Sequence, residues 1–512
     1  MFVSFGDRKM QTLDLIIIFG YLIGITAFGI WYAGKQETTE DYFVGDRSVP
    51  WWAIAMSIVA TETSTITFIS VPGIAFAKGG NFEFLQLVFG YLLGRVVISL
   101  VFIPLYFKGQ LQTVYQLLGE RFGGKVKMLA SGLFVVMRNI ADGIRLLLTA
   151  IVLAAVYAAF QPDTDPALVI VGSIVILGLV MIVFTFYGGI EAVIWIEVVQ
   201  IVIYIGGAVA AAVVLISNID GGIGGAIDVG RQFGKFGLFD FNLDFTKTYT
   251  FWGGVLGGCF LTMSTHGTDQ FLVQRYLCTD RPRAAITALM TSGAVILGQF
   301  IGFLFIGVLL FAFYAPYNLP GYESATGAFP FTGGDKVFPD FITQKMPTGL
   351  SGLVVAAIFA AALSSSLNSI AATAVNDIYK PFAKNVTDKQ LMRIAGILTV
   401  VVGIVQILIA VSLRNADTSA LSMALAVASL INGPILGVFL VGAFLRRAKE
   451  VHALTGMIVS ILVMTYILLA ANKFVPGPVI AWPWYALIGS SITVIIAFIT
   501  TLVIKTNEEI SD

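Results

Sequence analysis

Charge, cysteine and histidine are all scarce in this chain, and each shortage removes a class of function. Only 12% of its 512 residues are charged, with 30 basic against 30 acidic, so it offers no basic face for nucleic acid and no acidic one for a cationic partner. Two cysteines, Cys259 and Cys278, both in or beside apolar runs, are too few for a disulfide framework or a thiolate metal site. His266 and His452 are the only histidines, which speaks against a histidine metal centre or a hydrolytic triad. Neither an H-E-x-x-H zinc helix nor a nucleophile elbow occurs. A cleaved leader is not expected either: Thr12 to Tyr32 is long enough to span a bilayer, and no small-residue cleavage pattern ends it.

Apolar residues are what the chain has in excess. They make up 57% of it, and mean hydropathy is +0.90, the composition of an all-α polytopic membrane protein. Windows of about 20 apolar residues mark about thirteen spans, near 12–33, 50–77, 82–107, 127–159, 167–187, 191–217, 249–275, 284–314, 348–380, 391–413, 418–445, 453–472 and 482–505. The longest links, 218–248 and 315–347, are too short for a separate domain, so residues 1–512 read as one membrane domain. Basic residues such as Lys108, Arg121, Lys125 and Lys127, Arg281 and Arg283, and Arg446, Arg447 and Lys449 gather in alternate links. The positive-inside rule then places the N-terminus outside and the C-terminus inside.

Against this background, polar residues within spans stand out. Glu62 lies in Ala60-Thr61-Glu62-Thr63-Ser64-Thr65-Ile66-Thr67, with apolar sequence on both sides. A charge at mid-bilayer costs about 2.5–3.5 kcal/mol even on lenient scales, and such residues face a partner, a cavity or an ion path. The run is rich in β-branched and hydroxyl residues, which favours a broken helix lining a cavity. A second break is expected in Met263-Ser264-Thr265-His266-Gly267-Thr268-Asp269-Gln270, and two interrupted spans some five helices apart suggest an inverted repeat. In a third span, Ala361-Ala362-Leu363-Ser364-Ser365-Ser366-Leu367-Asn368-Ser369 concentrates hydroxyls. Small residues and hydroxyls are also ordinary helix-packing surfaces. Together with carbonyls of Ala60 and Thr63, however, Ser364 and Ser365 offer the oxygens that Na⁺ takes in place of water.

Other ionisable residues within spans are Arg95, Arg138, Asp142, Arg145 and Glu197. Arg138 and Asp142, four apart, read as a self-neutralising pair. Arg145, deeper in the same span, is the better candidate to meet a solute. Glu197, in Trp195-Ile196-Glu197-Val198-Val199-Gln200, needs a cationic or hydroxyl partner. His266 reads first as a polar residue near a helix break. Glu62 has two readings, a solute acceptor in the cavity or a carboxylate that tunes Na⁺.

In this order the motifs resemble the sodium:solute symporter family over nearly the whole chain. The resemblance rests on Asp41-Tyr42-Phe43-Val44-Gly45-Asp46-Arg47, Gly188-Gly189-Ile190-Glu191-Ala192-Val193-Ile194-Trp195-Ile196-Glu197-Val198-Val199-Gln200, Gly267-Thr268-Asp269-Gln270 with Val273-Gln274-Arg275-Tyr276, and Leu367-Asn368-Ser369 followed by Asp377-Ile378-Tyr379. It implies a LeuT-type inverted-repeat fold: an extra helix at 12–33, a first repeat over 50–217, a second over 249–445, and extra helices over 453–505. It also implies a main sodium site at Ala60, Thr63, Ala361, Ser364 and Ser365. A second sodium site, present in some members, falls on Glu197 with Ser366, although the serine run is about one turn short, so that its serines serve one site or are shared by two. The family's solute cavity maps to Glu62, Ser64, Thr67, Phe82, Gln86, Arg145 and Asp269. Several of these look like the branch that carries sialic acid, from which Glu62 departs.

The expected function is therefore Na⁺-coupled import of a small polar organic solute by alternating access, with Na⁺ as coupling ion and a sugar or sugar acid favoured. A monocarboxylate or amino acid is the alternative, with Arg145 on its carboxylate. An intramembrane enzyme and a transporter-derived sensor are the rivals from other classes; the first lacks a motif, and the tail Lys505–Asp512 is too short for a signalling domain. A lipid-embedded, multi-pass monomer is expected, in a cell membrane such as the bacterial inner membrane, with no nucleic-acid partner. Ser365→Ala should raise the Na⁺ concentration for half-maximal uptake without loss of folded protein. Unchanged Na⁺ dependence in Ser364→Ala, Ser365→Ala and the double variant would count against these ligands.

Overall fold

The local chemistry at Thr63 and Ser64 shapes the first part of the fold. The computed structural model describes residues 11–32, 38–45, 47–109, 111–161, 164–314, 334, 337–362, 366–383, 386–415 and 430–504. Helix α1 (Thr12–Tyr32) is followed by α2 (Trp51–Glu62) and α3 (Thr65–Phe76), two halves of one span bent by 63°. Thr63 and Ser64 between them are extended, and Ser64 begins α3 with a capping box: its hydroxyl accepts from the Thr67 N–H at 3.2 Å, while its own N–H turns to Thr67 Oγ1 at 3.4 Å. The expected break is thus enforced by a cap inside an apolar segment.

Next come α4 (Leu85–Tyr106), the short α5 (Val114–Phe122), the long α6 (Gly124–Phe160) and α7 (Pro166–Ser217). The 52 residues of α7 hold two expected spans, which meet at Gly189, where φ is 56° and ψ −164°. A side chain there would be strained, so glycine permits the kink that separates them. A second broken span follows as α8 (Gly258–Gly267) and α9 (Gln270–Leu277). Asp269 caps α9, its Oδ1 accepting from the Phe271 N–H at 2.8 Å.

The remaining main helices are α10 (Pro282–Tyr314), α11 (Leu350–Ala362), α12 (Leu367–Thr373), α13 (Asp388–Ser412), α14 (Asn432–Phe444), α15 (Glu450–Ala471) and α16 (Tyr485–Val503), with short helices at Thr39–Val44 and Gly222–Gln232 in links. Among the described residues seven helices are long and apolar enough to cross a membrane, and the bent α2–α3 pair makes an eighth. The thirteen-span reading also counts shorter, interrupted and charge-bearing helices such as α6.

With lipid as solvent the hydrophobic effect between helices is weak, and close backbone approach takes its place. Helix α4 meets the segment leading into α8 through glycines: a Cβ on Gly90 would lie 2.3 Å from the Gly254 carbonyl oxygen, and one on Gly258 2.6 Å from that of Leu87. Helix α10 approaches α3 in the same way, where a Cβ on Gly307 would meet the Pro72 carbonyl oxygen at 2.2 Å. These contacts set the two broken spans against their neighbours. Gly90→Ala should force α4 from α8 and destabilise the protein by about 1–3 kcal/mol, the usual cost of overpacking. A wild-type melting temperature in detergent would refute this account of the contact.

Candidate functional site

The two helix breaks open onto one cavity of about 400 Å³. Thr61, Glu62 and Thr67 line it from the α2–α3 span, Thr265, His266 and Asp269 from the α8–α9 span, and Arg138 and Arg145 from α6. Of the seven residues assigned to a solute, Glu62, Thr67, Arg145 and Asp269 meet here. The other three are engaged elsewhere. Ser64 caps α3, and Phe82 packs edge-on against Phe236 at 5.5 Å. Gln86 is fully buried, donating to the Glu83 carbonyl at 3.1 Å and accepting from the Asp240 N–H at 2.9 Å, which ties the start of α4 to the link between α7 and α8.

The charge on Glu62 is met by the fully buried Arg95 of α4, which forms an ion pair with it. His266 Nε2 lies 3.3 Å from the same carboxylate oxygen and 3.3 Å from Arg95 Nη2, while its Nδ1 is 3.0 Å from the Thr265 hydroxyl. Glu62 thus forms part of the cavity wall with most of its charge compensated from behind. The sequence marked Arg95 and His266 as polar residues within spans. It carried no signal that they converge on Glu62, because the three residues come from three separate helices.

Arg138 and Asp142 pair as expected, Nε to Oδ2 at 3.0 Å. Arg138 also reaches Asp269 at 3.9 Å and stacks on the Phe271 ring at 3.9 Å, so its role extends beyond its own helix. Arg145 differs from Arg95, Arg138 and Arg275: it makes no ion pair among the described residues, and its Nη1 is buried without a hydrogen-bond partner. Such a group in a cavity wall is suited to an incoming carboxylate.

The residues assigned to sodium divide into three groups. Ala60 and Thr63, at the end of α2, border a narrow crevice with Gln200, Tyr204 and Ala360. In a continuous helix the carbonyls of Ala60 and Thr63 would accept from the N–H groups of Ser64 and Thr67, but both of those turn to side chains across the capping box. The break therefore leaves two carbonyl oxygens for a hard cation, a donor set that fits Na⁺. Ala361 follows Ala360 in the last turn of α11, and Ser364 and Ser365 lie outside the described residues.

Glu197 and Ser366, the pair expected at a second sodium site, are held by different partners. Ser366 donates to Asp142. Glu197 is fully buried and accepts from Ser57, from the Thr61 hydroxyl at 3.1 Å and from Arg275, whose guanidinium bonds both carboxylate oxygens. Both kinds of partner expected for Glu197 are present, the hydroxyls of Ser57 and Thr61 and a basic side chain from the Val273-Gln274-Arg275-Tyr276 motif.

Comparison with known proteins matches the model of the sodium:solute symporter family to residues 42–460. The chain is 32% identical over 510 residues to the sodium/sialic acid symporter NanT of Aliivibrio fischeri, covering 98% of this chain and 95% of that protein. It is 28% identical to the human sodium-coupled monocarboxylate transporter 1, over 92% of this chain and 76% of that one. The solved structure of a Na⁺-coupled sialic acid symporter in a substrate-bound, outward-open state superposes with a TM-score of 0.83 at 31% identity, covering 97% of this chain and 98% of that one.

Removing one partner of a buried ion pair leaves the other charge stranded, at a cost of about 3–5 kcal/mol, whereas replacing both by apolar residues is often neutral. Glu197→Gln should therefore lower the melting temperature sharply, and Glu197→Leu with Arg275→Met should recover most of it. Wild-type stability in Glu197→Gln would overturn the structural role. A loss of Na⁺ cooperativity at unchanged stability would favour the sodium role instead.

Proposed function

We infer that this chain, which belongs to the sodium:solute symporter family, imports a carboxylated, hydroxyl-rich solute of the sugar-acid class. It is a multi-pass membrane transporter with the LeuT-type fold, and it couples solute movement to Na⁺. Inward movement of each Na⁺ gains about 2.3 kcal/mol per 100 mV of membrane potential, besides its concentration gradient, and no covalent step is required.

One observation carries the solute class: Arg145, without an ion pair among the described residues, lines a cavity whose other guanidinium group, that of Arg138, is paired. A carboxylate on Arg145 would make charge-assisted hydrogen bonds in a site shielded from water. Glu62, Asp269, Thr67 and Ser70 supply acceptors and hydroxyls around the same cavity, which suits a solute bearing several hydroxyl or amide groups better than an aliphatic acid. The likeness to sodium/sialic acid symporters, over nearly all of both chains, supports the same class. A small monocarboxylate is the second reading, because Arg145 would satisfy it equally well and a sodium-coupled monocarboxylate transporter is among the relatives.

For Na⁺ we assign the freed carbonyls of Ala60 and Thr63, with Ala361, Ser364 and Ser365. Occupation of this site would hold α2 against α11 and so favour the cavity geometry in which solute binds. Solute affinity should accordingly rise with Na⁺ and, by linkage, Na⁺ affinity with solute.

Isothermal titration of purified protein with sialic acid and with lactate, in Na⁺ and in K⁺ buffers, tests the reading. Sialic acid should bind only in Na⁺, and Arg145→Gln should weaken it by roughly 10- to 150-fold, the equivalent of about 1.5–3 kcal/mol for a charged hydrogen bond. Tighter Na⁺-dependent binding of lactate than of sialic acid would reverse the order of the two readings.

A further inference from the structure

A second cavity, of about 160 Å³, lies between α5, α6, α8 and α14. Arg138, Thr265 and Asp269 line both it and the central cavity, so the Arg138–Asp269 pair stands on the boundary between them. Beyond that boundary the wall sets Tyr115, Ser264 and Asn432 beside the apolar Phe134, Met137 and Ile435. Arg138 Nη2 is buried without a hydrogen-bond partner, although Nε and Nη1 face Asp142 and Asp269.

Arg138 and Arg145 lie seven residues apart on α6. Seven residues turn a helix through nearly two full turns, so the two guanidinium groups project from one face, roughly 10 Å apart along the axis at about 1.5 Å per residue. Asp142 lies between them and compensates Arg138. At 3.9 Å the Arg138–Asp269 contact is long for an ion pair, hence readily exchanged for a carboxylate that offers both oxygens.

We propose that the second cavity is a further station for the solute, in which its carboxylate passes from Arg145 to Arg138 as the Arg138–Asp269 pair opens. This rests on the carboxylated-solute reading above. The pair closes the central cavity while solute sits on Arg145, and its opening converts two cavities into one path. A small cavity suffices, since only the anionic end need enter before the solute moves on. Arg138 thereby acts on transit, Arg145 on the first binding step.

The two cavities can be separated by blocking one after folding. In a Cys259→Ala, Cys278→Ala background, Asn432→Cys places a single thiol in the wall of the second cavity only. The purified protein would be modified with a bulky methanethiosulfonate reagent, checked by mass, and reconstituted with sialic acid as probe. Modification should leave Na⁺-dependent binding within about threefold and lower uptake at least tenfold, with dithiothreitol restoring it. Undiminished uptake by fully modified protein overturns the proposal, as does a parallel loss of binding and uptake, which would mean one undivided cavity. Absence of Na⁺-dependent binding before modification would instead overturn the solute assignment, and the station with it.

Discussion

A carboxylate buried among apolar helices has to be met by a cation or hydroxyl from elsewhere in the chain, and much of this structure follows from that requirement. Glu62 is met by Arg95, Glu197 by Arg275 with Ser57 and Thr61, and Asp142 by Arg138 and Ser366. Two of these sets join a broken span to an unbroken helix, α2 to α4 and α9 to α7. The third ties α6 to the start of α12. The broken spans, which give up backbone hydrogen bonds, are thus anchored by side-chain pairs that would be costly to separate in a medium of low dielectric constant.

Anchoring of this kind allows the breaks to be useful. An unwound segment in hydrocarbon would leave carbonyls unsatisfied, and it is tolerated only where something else meets them. At Ser64 the capping box satisfies the new helix start and directs two N–H groups away from the Ala60 and Thr63 carbonyls. The same four residues therefore start a helix, open a cavity and release oxygens of the kind Na⁺ requires. In the proposed assignment, cation and solute sites are neighbours because one break serves both. Coupling then needs no long relay: a cation that fixes the end of α2 fixes one wall of the solute cavity.

Charge balance around the cavity gives it direction. Under the proposed assignment Arg145, which makes no ion pair among the described residues, would have its charge met by an anionic solute. A neutral solute could not do so. On that reading specificity would come from an unmet polar group, which penalises the wrong ligand more than an apolar contact does.

The helical, membrane-spanning class, the two breaks and the Arg138–Asp142 pair were legible in the chain because each depends on neighbours within a few residues. Apolar length, the Ser64–Thr67 and Asp269–Phe271 caps, and an i,i+4 spacing are local properties, and local properties survive in one dimension. Glu62, Arg145 and Asp269 could also be singled out, since a charge in an apolar run is conspicuous wherever it lies. Their partners could not. Whether Glu62 meets Arg95, whether Ser366 meets Asp142 or Glu197, and whether Phe82 and Gln86 reach the cavity all depend on how helices are rotated and set against one another. Those angles come from glycine contacts such as Gly90 on Gly254, made between residues more than a hundred positions apart. Sequence spacing within a helix carries no record of them, so the pairing of charges across helices belongs to the packed structure alone.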